Sequence, residues 1–202
     1  MTPSSYHHGD LKNALIAAGV EILAREGVAG LGLRNVAKQA GVSHSALYAH
    51  FADKQALIAA ISTEGLKQLY MTIEESLAAH RDDPAALLVE ISLSYLRFAL
   101  EEPDRFKLMY SSVMDKERNF PDFVDYSHRT FDKYSEIIAF CQEAGILPRG
   151  PTELMAAAVW GGVHGLVMLA LENQLPHTLL EGHSLRDIVL FSLNQLALVE
   201  LS

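Results

Sequence analysis

Cysteine is nearly missing from this chain: Cys141 is the one thiol in 202 residues. A single thiol excludes a disulfide scaffold and a four-cysteine zinc site, and it suits a reducing compartment. Charged residues make up only 20% and aromatic residues 8%, against 50% hydrophobic residues. That balance excludes a disordered or collagen-like chain and supplies a sizeable core. No apolar stretch opens the sequence either. Met1 is followed by polar residues from Thr2 to Asp10, which do not make a secretory leader, so the expected location is the cytoplasm. Enzyme signatures are also missing: no G-x-S-x-G elbow, no phosphate-binding glycine loop, and no base close to Cys141 in sequence. His164, His177 and His183 lack metal-ligand spacing, and Glu172 and Glu181 are placed like helix ends. The expectation is no catalytic residue, no metal and no cofactor, with Cys141 as a small buried apolar side chain.

Positive charge is in short supply overall, with a net charge of −9. Such a balance argues against a nucleic-acid partner until its distribution is considered. Residues 1–55 carry five Lys/Arg (Lys12, Arg25, Arg34, Lys38, Lys54) against four Asp/Glu, together with His7, His8, His44 and His50. The other 147 residues hold 11 basic and 21 acidic side chains. The cluster Asp115, Glu117, Asp122 and Asp125 is most simply a solvated surface. This asymmetry predicts two jobs in one chain, with a domain boundary near residue 55.

The periodicity is helical throughout. Leu15, Ile16, Gly19, Ile22 and Leu23 form an apolar stripe, with Asp10 as a candidate cap and Gly27 as a candidate stop. Short helices are expected at about 33–40 and 44–51, then a long one from Asp53 to about Ala79. Further helices are expected at about 84–101, 104–114, 121–144, 152–173 and 184–200, with Pro and Gly breakers between them. No stretch shows period-two alternation bounded by hairpin turns, so the predicted fold class is all-α: an N-terminal three-helix domain, residues 1–55, and a helical domain, residues 56–202. Leu154 to Leu171 carries no formal charge over eighteen residues. His164, three glycines, flanking Glu153 and Glu172, and no basic cluster make a helix buried in the protein or between subunits the better reading than a membrane span.

Leu33 to Phe51, LRNVAKQAGVSHSALYAHF, has the arithmetic of two short crossing helices. Val36, Ala37 and Ala40 face inward, Gly41 supplies the turn, Val42 plugs the angle and Ser43 caps the second helix. Leu47 and Phe51 then face inward, leaving His44, Ser45, Tyr48 and His50 outward. A recognition helix must enter a groove about 12 Å wide with groups that hydrogen-bond base edges and phosphates, as hydroxyls and imidazoles do. Lys54 adds a cation at a helix start near the flanking phosphates. The competing reading is a plain helical corner with a solvated polar face.

The order Glu26-Gly27, Arg34-Asn35-Val36-Ala37-Lys38-Gln39-Ala40-Gly41-Val42-Ser43, Leu47-Tyr48-Ala49-His50-Phe51 and Asp53-Lys54-Gln55-Ala56-Leu57-Ile58 resembles that of TetR-family transcriptional regulators over residues 6–60. The resemblance implies that Ser43, His44, Ser45, Tyr48 and His50 face double-stranded DNA, with Lys54 on a phosphate. Gly32 stands where the family usually has Thr or Ser, which puts a phosphate contact at that position in question. Tyr6-His7-His8-Gly9-Asp10 resembles a subgroup; His7 and His8 read either as phosphate contacts or as a solvated arm.

Glu102 to Tyr110 and Trp160-Gly161-Gly162-Val163-His164-Gly165 resemble a TetR subgroup with a Trp-His-Gly signature in its regulatory domain. Ala157, Gly161 and Gly165 recur every four residues, and such small residues let another helix approach closely. With Leu185, Ile188, Val189, Ser192, Leu196 and Val199 as a second apolar stripe, a homodimer built on these helices is expected. Its two recognition helices would read half-sites about 34 Å apart, or a multiple of that. Tyr95, Phe98, Phe106, Met109, Tyr110, Met114, Phe131, Tyr134, Trp160 and His164 are rich in aromatic and polarisable groups. Tyr95, Phe98, Met109, Phe131, Trp160 and His164 are the candidate contacts of a small apolar or aromatic effector. The helix after Lys54 would act as the lever between effector and hairpin. The alternatives are a solid core without effector, and a helical small-molecule carrier or enzyme that does not bind DNA.

Overall fold

The computed structural model describes residues 8–112 and 120–201, with side chains from residue 11 onward. Tyr6, His7, Met114, Asp115 and Glu117, and the His8 side chain, lie outside the described residues. Among the described residues there are ten helices and no strand: α1 (His8–Gly30), α2 (Leu33–Gln39), α3 (His44–Tyr48), α4 (Lys54–Ala79), α5 (Pro84–Glu101), α6 (Pro103–Tyr110), α7 (Pro121–Glu143), α8 (Thr152–Leu171), α9 (His177–Gly182) and α10 (Leu185–Asn194). The fold is all-α. Two compact units divide the chain, Met1–Leu66 with Glu102–Asp125, and Lys67–Glu101 with Tyr126–Ser202.

In the first unit the apolar stripe of α1 meets α2, α3, the start of α4 and Leu108 of α6. Leu15, Ile22 and Leu23 are buried with Leu31, Val36, Ala37, Leu47, Phe51, Leu57, Ile58 and Ile61. Gly19 permits the close approach of α1 and α4, because a Cβ there would lie 2.8 Å from Ile61 Cδ1. Helix α1 opens at His8, so Asp10 lies within its first turn instead of capping it. Gly27 leaves the helical region (φ 67°, ψ −170°) and kinks α1 three residues before its end.

The second unit buries Leu87, Leu88, Ile91, Phe98, Val159, Val163, Val189 and Leu193 on α5, α8 and α10, which pack together, and Ile137 and Ile138 on α7. Cys141 is fully buried there and donates to the Pro84 carbonyl at 3.4 Å; burial pushes its thiol up to about 12. Helices α7 and α8 end in the same device. The amides of Ile146 and Gln174 reach back to the carbonyls of Cys141 and Leu169, over Gly145 (φ 74°) and Asn173 (φ 53°).

The ends of the chain depart from the periodicity in two places. Residues 177–182, read as a breaker, form the one-turn helix α9. Helix α10 stops at Asn194 instead of running to 200, because Leu198 donates to the Ile146 carbonyl and Leu201 to Asn194 Oδ1. These bonds take up amides that a continuing helix would have turned onto itself.

Candidate nucleic-acid interface and aromatic cluster

The hairpin turn follows from one glycine and one serine. After α2, Gly41 sits at φ 68°, where a side chain would be strained, and Ala40 is the C-cap. The Val42 amide donates to Ala37 O (3.0 Å) and the Gly41 amide to Lys38 O (3.2 Å), the paired bonds of a Schellman ending. Ser43 then caps α3: its Oγ accepts from the Ala46 amide at 3.2 Å and lies 2.9 Å from Ser45 Oγ. Asp53 does the same for α4, accepting from the Ala56 amide at 2.9 Å. Gly32, at the N-cap of α2, makes no side-chain cap; Asn35 Nδ2 instead donates to the Gly30 carbonyl at 3.2 Å.

With Leu47 (1% exposed) and Phe51 (2%) held inside, the rest of α3 faces out. Ser43, His44 and Ser45 are exposed, and Tyr48 is 55% exposed, a large ring left to solvent on a five-residue helix. His50 and Lys54 are half-buried. The Lys54 ammonium donates to the Val28 carbonyl at 2.7 Å, tying the start of α4 to the end of α1. Sequence reasoning did not anticipate that bond, since nothing in the spacing brings residues 28 and 54 together.

Four of the six candidate effector contacts converge in the second unit. Trp160 Nε1 lies 3.2 Å from Tyr95 Oη, which lies 2.8 Å from His164 Nδ1. The indole N–H can only donate, so Tyr95 Oη accepts from it, and the phenol shares a second hydrogen bond with His164 Nδ1 whose direction follows the histidine tautomer. Phe131 meets the Trp160 ring edge-on at 6.3 Å, and Trp160 and His164 lie 5.6 Å apart. Phe98 is buried one turn beyond Tyr95. Met109 belongs to the first unit, where it lies against Gly65 of α4.

Burial holds His164 below the usual histidine range. The unfolded chain therefore binds more protons at this residue than the folded one. Its contribution to stability is complete above the ordinary histidine value and is lost as pH falls through that value toward the lowered one. Between about pH 7 and pH 5 the melting temperature is expected to fall less steeply in His164→Gln than in the wild type. Parallel melting profiles would contradict the buried neutral imidazole.

Helix α8 is long and apolar enough to cross a membrane, yet it packs against α5 and α10. It buries Ala156, Val159, Val163 and Val167, while Leu154 (69% exposed), Ala157, Ala158, Gly161 and Leu169 (40%) stay outside. Gly162 faces α10, where an added Cβ would meet Ser192 Oγ in ordinary contact at 3.5 Å. Gly161 and Gly165, the expected small-residue stripe, have nothing within 4 Å of such a Cβ. On α10 the expected stripe is split. Val189 points inward (1% exposed), Leu196 and Val199 fall beyond the helix, and Phe191 (68%), absent from the expected set, carries the exposed apolar surface.

Residues 15–61 match the model of bacterial regulatory proteins of the tetR family, and residues 88–189 match the tetracyclin repressor-like C-terminal domain. The HTH-type transcriptional regulator AcrR of Shigella flexneri is 25% identical over 176 residues, which cover 82% of this chain and 79% of that protein. The class G tetracycline repressor protein of Vibrio anguillarum is 31% identical over 109 residues, 54% of this chain and 50% of that one. A solved structure of a Rhodococcus sp. RHA1 protein of unknown function superposes with a TM-score of 0.78 at 28% identity, over 96% of this chain and all (100%) of the other. Hairpin, helical second unit and both matches carry one conclusion: the chain belongs to the tetR family of bacterial regulatory proteins.

Proposed function

We propose that this DNA-binding transcriptional regulator is a cytoplasmic homodimeric repressor, without enzymatic activity, that leaves a near-palindromic operator when a small apolar or aromatic effector binds. The observation that carries the DNA-contact assignment is the outward set His44, Ser45 and Tyr48 on a helix fixed by a glycine turn and a serine cap. In this reading residues 1–55 hold the operator and residues 56–202 dimerise and respond. His44 and Ser45 touch base edges, while Ser43, Tyr48, His50 and Lys54 hold the sugar-phosphate backbone. The bare face of α8, with Gly161, Gly165 and exposed Leu154, seats the same helix of a second copy beside Phe191 of α10.

Two class names among the relatives, a transcriptional regulator and a tetracycline repressor, support the repressor reading. The Trp160–Tyr95–His164 hydrogen-bond chain beside Phe131 supports the effector site, since polar handles among aromatic walls are what a small-molecule site requires. Helix α4 is unbroken from Lys54 to Ala79 and is the proposed lever. A coupling of ~1–3 kcal/mol between effector and operator suffices for release.

The test is a fluorescence-anisotropy titration of operator DNA over a range of salt concentrations. Lys54→Ala is expected to bind all sequences more weakly and to lower the log–log salt slope by ~0.9, the value of one lost phosphate contact. An unchanged slope together with a lower melting temperature would leave Lys54 with the Val28 bond as its only role.

A further inference from the structure

Where α7 faces α8 in the second unit, one hydroxyl is left without a bond. Phe131 meets the Trp160 ring edge-on at 6.3 Å, and toward the end of α7 Gln142 Oε1 accepts from the Thr152 hydroxyl at 2.9 Å. Ser135 shares that face of α7, at i+4 from Phe131 and i−7 from Gln142. Helix α8 presents Thr152, Ala156 and Trp160 at i, i+4 and i+8, so the register sets Ser135 against the turn that carries buried Ala156. A methyl group offers no hydrogen bond. Ser135 Oγ is sealed from solvent and has no partner among the described residues.

A helical serine or threonine can turn back to the carbonyl one turn earlier. Thr63, Ser76, Ser92 and Thr130 do so here, bonding to the carbonyls of Ala59, Thr72, Leu88 and Tyr126. Ser135 does not. A buried hydroxyl left unpaired is costly, and such a group marks a place where something outside the chain completes the bond.

The neighbouring side chains bring no charge to this stretch of α7. Tyr134 is only half-buried by surface, yet burial, with the Cys141 thiol beside it, pushes its phenol well above the usual range. Its open surface therefore lies in low-dielectric surroundings. Burial alone raises the Cys141 thiol, so no charged side chain acts on either group. An ionised ligand would meet no counter-ion beside them.

We propose that Ser135 selects the effector: its hydroxyl bonds the oxygen of an uncharged aromatic molecule that carries a hydroxyl or a carbonyl, with the ring beside Phe131 and Trp160. A serine hydroxyl donates to a carbonyl and takes either role toward another hydroxyl, so one residue serves both groups. The inference rests on the effector reading above and narrows it from any small apolar molecule to a neutral oxygenated one.

The test uses the full chain labelled with 5-fluorotryptophan, which gives one ¹⁹F signal because Trp160 is the one tryptophan. The probes are 2-naphthol, naphthalene and 2-naphthoate, with operator release followed in parallel. The signal is expected to move saturably with 2-naphthol, at least tenfold more weakly with naphthalene, and not at all with 2-naphthoate. Ser135→Ala should weaken 2-naphthol about tenfold and leave naphthalene unchanged. Without ligand it should melt no earlier than the wild type, since the hydroxyl it loses bonds nothing in the fold. Ser135→Cys, a much weaker donor, decides the matter if the alanine variant fails to fold by circular dichroism. Saturation by 2-naphthol without operator release would sustain the site and contradict only the effector role. Equal binding of naphthalene and 2-naphthol, or wild-type 2-naphthol affinity in the folded Ser135 variant, would overturn the selection by Ser135 and leave an apolar effector site. No saturable shift with any probe would overturn both.

Discussion

Gly161→Arg is expected to give a folded monomer that binds operator DNA roughly 10²–10⁴-fold more weakly than the wild type, the factor lost when two linked half-site contacts become independent. The expectation rests on where Gly161 sits. It is exposed on α8, and a Cβ added there meets nothing within 4 Å, so the single chain accommodates a side chain. Replacing a helical glycine also removes a backbone-entropy penalty of roughly 1 kcal/mol, so the monomer should not melt earlier on that account. In the proposed dimer the same position faces the α8 helix of the partner. An arginine there would hold two backbones apart and bury a charge without a counter-ion. Sedimentation velocity at micromolar concentration should show monomer with unchanged far-ultraviolet circular dichroism. A dimer that persists in Gly161→Arg would move the interface off α8.

Phe51→Ala should produce the complementary failure: operator binding lost, dimer retained. Phe51 is 2% exposed in the cluster that holds α1, α2, α3 and the start of α4, and its amide donates to Leu47 O at 3.0 Å. Truncating a buried phenylalanine costs ~3–5 kcal/mol, a large part of the ~5–15 kcal/mol that usually separates a folded domain from its unfolded state. The hairpin is short, with helices of seven and five residues, and it holds its shape through this packing more than through helix propensity. The second unit has its own core around Leu87, Phe98, Ile138 and Val163, so dimerisation through α8 should survive. Wild-type operator affinity in Phe51→Ala would mean that the hairpin geometry does not position the DNA contacts.

Much of the fold was legible because the deciding signals are local. Gly41 followed by Ser43 specifies a left-handed turn and a cap within three residues, and both formed as the spacing implied. Pro84, Pro103 and Pro121 each open a helix, as a residue without an amide donor should. The misses come from tertiary bonds that no periodicity encodes. Helix α10 ends early because Ile146, distant in sequence, accepts from the Leu198 amide. Phe191 was passed over because the stripe was drawn through Val189, and a register fixed by α8 turned that residue inward.

The candidate sites were legible to different depths. On α3 the outward residues follow from Leu47 and Phe51 alone. The Trp160–His164 pair was visible as a four-residue spacing, but its link to Tyr95 runs between helices and needed the structure.

The most direct test of the central claim is a mobility-shift titration of the wild-type protein on the DNA immediately upstream of its own gene, with a large excess of unrelated duplex as competitor. The account predicts a discrete complex that survives the competitor and disappears in His44→Ala/Tyr48→Ala. A complex that the competitor removes as readily as it removes the double variant, or no complex at all, would contradict sequence-specific recognition by this hairpin.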